Sequence, residues 1–119
     1  MDNRAEQKEA LETLAEFNVR LIKNMNLVQK ELLGERLDDT NAFLQDIVNA
    51  INWEVQVMNG TMELLNEDGQ HIEKEDFNEK ITALGSAVNA KDDAGMASAF
   101  KDLVPLFEKL GERVNEILA

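Results

Sequence analysis

The chain has no cysteine and no tyrosine, and only one proline and six glycines in 119 residues. Without cysteine there can be neither a disulfide framework nor a thiolate metal site. One histidine, His71, and two serines, Ser86 and Ser98, leave little material for a nucleophile beside a base. Gly85-Ser86-Ala87 lacks the flanking glycines of a nucleophile elbow, and no glycine loop of the phosphate-cradling kind is present. Basic residues are scarce as well: 24 acids against 12 Lys and Arg give a formal net charge of -12. Such a surplus repels phosphates and anionic lipid surfaces, which argues against nucleic acid and membranes as partners. No apolar run approaches the roughly 18 residues of a membrane span, and the N-terminus lacks the plan of a secretory signal, so a cytoplasmic protein is expected.

What is present is helical periodicity. The 44% hydrophobic fraction can supply a packed core, and 119 residues suit a single domain, 1–119. Residues 2–33 contain neither proline nor glycine, and Leu11, Leu14, Leu21, Met25, Val28 and Leu32 recur at alternating steps of three and four once Asn18 is included. Asn18 in that seam either fixes the register of buried neighbours or is left wet by a rotation of the helix. Gly34 suits a left-handed helix end, and Asp38, Asp39 and Thr40 suit a new helix start.

A second helix is expected over 40–66, with Leu44, Ile47, Ile51, Val55, Met58, Met62 and Leu65 on its buried face. Gly60 inside it suggests a close neighbouring backbone or a bend. A third is expected over 73–89, where Ile72 and Phe77 can form a hydrophobic staple and Ile81, Leu84 and Val88 continue the face. The fourth, 93–118, carries Met96, Phe100, Leu103, Phe107, Leu110, Val114 and Ile117 through Pro105, where a kink is expected. Four helices with short connections predict an all-α, antiparallel up-down-up-down four-helix bundle with a kinked last helix.

The second helix has another apolar row, Phe43, Ala50, Trp53, Val57 and Leu64. Either Trp53 packs beneath the third or fourth helix, or the row is a surface for self-association or a protein partner. Charge is uneven: residues 2–36 hold seven acids and six bases, and the remaining bases begin only at Lys74. The cations Arg20, Lys23 and Lys30 on the first helix would face Asp46 and Glu54 on the second, and intramolecular pairing is the simplest expectation. The acidic surplus elsewhere could steer a basic partner.

Metal and cofactor chemistry finds no pattern. A di-metal carboxylate site would need Glu-x-x-His on two helices, and His71 stands alone. Asn66, Asp68, Gln70 and Glu73 depart from the order of a calcium loop, and the carboxylates at 73–79 are explained by the positive end of a helix dipole. No catalytic residue, cofactor ligand or metal ligand is therefore assigned.

Ile51-Asn52-Trp53, the acidic loop after it, Asn89-Ala90-Lys91-Asp92 and the stretch from Asp102 to Leu110 through Pro105 together resemble a group of small acidic all-helical proteins, mostly of Firmicutes. The resemblance spans roughly residues 44–110. Members tend to be encoded near motility and surface-glycosylation genes, so the resemblance implies an accessory or adaptor role and supplies no ligand. The leading expectation is a non-enzymatic helical interaction protein, a small acidic chaperone or adaptor acting as a homodimer through the Trp53 row. Alternatives are a helical bundle binding a small ligand or metal in its interior, and an acidic nucleic-acid mimic.

Overall fold

In the computed structural model, which describes residues 4–34 and 36–119, the chain is all-helical, and no strand occurs among the described residues. Five helices follow in order: α1 Arg4–Leu32, α2 Thr40–Gly60, α3 Met62–Leu65, α4 Lys74–Asn89 and α5 Asp93–Leu118. The expected helix start at Asp2 lies outside the described residues. Where one helix was expected over 40–66, two occur. At Thr61 the backbone leaves helical geometry (φ -122°, ψ 14°), and the Thr61 hydroxyl donates to the carbonyls of Val57 and Met58. A hydroxyl bonded back to the preceding turn competes with the helix ladder and bends it. No atom lies within 4 Å of where a Gly60 Cβ would stand, so close backbone approach is not the reason for this glycine.

The helix ends follow local chemistry. Gly34 takes φ +130°, a conformation that costs a residue without Cβ little. Asp92 accepts from the Gly95 N–H at 3.0 Å and caps α5. Ile72 and Phe77 are both buried at the start of α4, as a staple requires. α5 continues through Pro105, which lies on its exposed side.

Neighbouring helices run antiparallel. Ala10 lies near Val57, Phe17 near Ala50 and Trp53, and Leu21 near Ile47, which sets α1 against α2. Arg36, just past α1, reaches Asp93 at the start of α5, while mid-helix Asn18 reaches Phe107. Phe77 meets Phe107 edge to face and Lys80 meets Asp102, which orders α4 against α5. The α1–α5, α4–α5 and α1–α2 pairs carry most of the packing. Between α2 and α4 runs a mostly apolar groove of about 260 Å³, edged by Val48, Ile81 and Val88. The long dimension is 49 Å, close to the roughly 43 Å that a 29-residue helix such as α1 spans.

Asn18 resolves in favour of the buried alternative. It is 3% exposed and donates through Nδ2 to the Phe107 carbonyl at 3.0 Å. Gly111, one turn from Phe107, makes room for it: a Cβ there would stand 2.5 Å from Asn18 Nδ2. At the far end, buried Arg113 donates to the Leu65 carbonyl at 2.7 Å and to Asp68 at 2.8 Å, tying the end of α3 to α5. Gly111→Ala should lower stability by about 1 kcal/mol, the cost of displacing a buried hydrogen-bonded amide outweighing the gain in helix propensity. In an Asn18→Ala background the same change should be neutral or stabilising, and denaturant unfolding of the four proteins of this double-mutant cycle checks it.

Candidate functional site

The buried face of α2 is built from Thr40, Leu44, Ile47, Ile51, Glu54 and Met58, and it continues past the break with Thr61 and Leu65. The steps alternate four and three without exception, a single seam facing one neighbour. The sequence expectation put Val55 and Met62 in this row, and both are only half-buried. The seam position belongs to Glu54, which is 0% exposed.

Neither carboxylate oxygen of Glu54 has a hydrogen-bond partner among the described residues. The expected pairing of Asp46 and Glu54 with Arg20, Lys23 and Lys30 is absent from the ion pairs among the described residues. The physical reason is placement: Arg20, Lys23 and Lys30 are exposed on α1, whereas Glu54 points with the seam into the interior. An ionised carboxylate there would lose its hydration without compensation. Desolvation accordingly pushes its pKa up from 4.5 to about 8.

Beside Glu54 the chain forms a cleft of about 450 Å³ lined by Phe17, Asn49, Ala50, Trp53 and Glu54. Phe17 and Trp53 meet edge to face, with centroids 5.6 Å apart and planes at 69°. Both stay open to solvent, Trp53 by 38% and Phe17 by 47%. The Arg20 guanidinium lies 5.9 Å from the Phe17 ring centre, within cation–π range. Of the expected row, Phe43, Ala50 and Val57 are half-buried and share the Trp53 side of α2, but Leu64 is 3% exposed and belongs to the core. Leu64 lies beyond the break at Thr61, in the short α3, where it is buried together with Leu65. Phe17 falls outside the apolar seam of α1, so the spacing does not single it out. Its value comes only from the antiparallel register that sets it against Trp53.

The loop after α3 spends its polar groups on itself. The Asn66 carboxamide accepts from the backbone N–H groups of His71 and Ile72 and donates to the Ile72 carbonyl. Asp68 bridges His71 and Arg113, and the bond to His71 is the first cause of its lowered pKa. No group of three or more His, Asp or Glu placed to hold a metal ion occurs among the described residues. None of the described helices is long and apolar enough to cross a membrane.

The raised pKa of Glu54 has a definite sign. Its folded-state value lies above its unfolded one, so its contribution to stability is greatest below about pH 4.5 and declines as pH rises toward about 8. Glu67 and Asp68, both lowered, act oppositely, losing their contribution on acidification. Glu54→Gln removes the first effect alone. Its midpoint of thermal unfolding should match the wild type closely near pH 4.5 and exceed it increasingly up to about pH 8.

No curated protein and no solved structure matches the chain. A family profile does, over residues 9–113, that of a domain of unknown function (DUF8042). With nearly its whole length matched, the chain belongs to that family.

Proposed function

We propose that the protein is a non-enzymatic helical interaction module, a small acidic adaptor or chaperone of the cytoplasm that pairs with a second copy of itself. The reading takes α1, α2, α4 and α5 as an antiparallel four-helix bundle bent at Pro105, with α3 as the continuation of α2. The observation that carries it is the half-exposed Phe17–Trp53 pair, flanked on α2 by Phe43, Ala50 and Val57. Aromatic rings at the centre of a surface patch are the residues that most often anchor protein interfaces, since each buries a large area at low entropic cost.

Two features favour a second copy as the occupant. A face 49 Å long and 23 Å wide can supply the roughly 800 Å² per partner that a standard interface buries. The charges around the patch are also self-complementary. Arg20 and Lys23 on the α1 side, and Asp46 on the α2 side, form no ion pair among those described. A two-fold axis through the aromatic pair lets each copy offer its cations to the acids of the other. The acidic remainder of the surface keeps the paired protein soluble and speeds encounter with basic client proteins.

Light scattering should give twice the 13.4 kDa chain mass for the wild type. Phe17→Asp should halve it while the helical circular dichroism is retained. A monomeric wild type whose Trp53→Ala variant unfolds would mean that the aromatic row serves the fold alone, and would defeat the proposal.

A further inference from the structure

Among the described residues, the buried side-chain atoms left without a hydrogen-bond partner are Asn18 Oδ1 and the two Glu54 oxygens. Once Glu54 is ionised all three are acceptors, and Asn18 Nδ2 is already committed to the Phe107 carbonyl. In that state the interior has unspent lone pairs and no donor to meet them. Buried polar groups in folded proteins are nearly always paired, and such exceptions mark a place where something else supplies the partner. A donor-bearing cation is the complement.

The surroundings select the kind of cation. Glu54 lines the cleft of about 450 Å³ together with Phe17, Asn49, Ala50 and Trp53, a volume within the range of small-molecule sites. An indole and a phenyl ring favour an organic cation, whose alkyl or aryl body they cover and whose charge their faces attract. A bare metal ion would want several oxygen ligands, and one carboxylate does not provide them.

From the cleft, its two rings and the partnerless carboxyl of a residue that lines it, we infer that α1 and α2 form a binding site for a small amphipathic organic amine, covered by the Phe17 and Trp53 rings and held as its ammonium ion by a Glu54 side chain that turns toward the cleft. On binding, the Glu54 carboxyl gives its proton to solvent and the ammonium N–H groups donate to the resulting carboxylate. The ion pair forms in a place shielded from water, where such contacts are strongest. Arg20, over the Phe17 ring, makes no ion pair with Glu54 among the described residues. The seam of α1 presents Leu11, Leu14 and Asn18, and the buried face of α4 presents Phe77, Leu84 and Ala87. The one buried charge of α5, Arg113, is spent on Leu65 and Asp68. Desolvation is the one cause of the shift at Glu54, with no neighbouring charge contributing.

Trp53 is the chain's single tryptophan, so its fluorescence reads the site directly. Isothermal calorimetry and Trp53 emission would follow titration with 2-phenylethylammonium and with neutral 2-phenylethanol, for the wild type and Glu54→Gln. Because the proposed pairing covers the same two rings, a second copy and the amine compete for them. All are therefore measured at a protein concentration at which light scattering shows the monomer, so that failure of pairing and failure of this site are read separately. Gln keeps the shape of the neutral carboxyl and its fold is checked by circular dichroism. At about pH 8 the amine should bind the wild type roughly tenfold or more tighter than the alcohol. Its affinity should fall at least about tenfold at pH 6, because only the carboxylate form is competent. Both preferences should vanish in Glu54→Gln. Equal affinity for amine and alcohol, binding by neither, or an amine preference that survives in Glu54→Gln would overturn the inference.

Discussion

A carboxyl group in a helical seam is the constraint to which the rest of this molecule answers. Glu54 occupies a position that its neighbours along α2 give to leucine, isoleucine and methionine, and it is fully enclosed. An unpaired charge cannot be kept there cheaply, so the pKa of the group is pushed up from 4.5 to about 8. No neighbouring charge contributes to the shift. The cost of keeping such a group is one that a core of pure hydrocarbon would avoid; the proposed amine site would give that cost a use.

Around it the fold is assembled by repetition. The seams of α1, α2 and α5 each alternate steps of three and four, and each contributes one face to a shared core. Asn18 breaks the apolar run of α1 and meets a carbonyl of α5 beside Gly111, which fixes one register of α1 on α5, since sliding by a turn would strand the buried amide. Arg113 and Asp68 then hold the far end, where α2 has broken into α3. The scarcity of glycine and proline leaves few places for the chain to bend, and the break at Thr61 is made by a hydroxyl instead.

Much of this was legible in the sequence. The apolar seam residues of α1 follow from their spacing, as do the main α5 row and the helix starts at Thr40 and Asp93, because periodic burial of leucine-like residues leaves a direct imprint, whereas spacing alone left Asn18 open between buried and wet. The misreadings on α2 share one cause. An apolar residue stands next to each polar seam residue, Val55 beside Glu54 and Met62 beside Thr61, and masks the phase, although strict alternation from Leu44 selects the polar pair. Leu64 was assigned to the Trp53 face because the break at Thr61 has no strong marker. Phe17 was not found because its importance depends on the register between α1 and α2, a property of the pair and not of either helix.

The central claim is that Glu54 is a neutral, enclosed acid beside Trp53 and Phe17. The most direct test is nuclear magnetic resonance of the glutamate side-chain carboxyl carbons, uniformly ¹³C-labelled and followed against pH, with the Glu54 signal identified by its loss in Glu54→Gln. The account predicts a midpoint near pH 8 for that one signal. A Glu54 midpoint among the ordinary glutamates, near about pH 4.3, would contradict it.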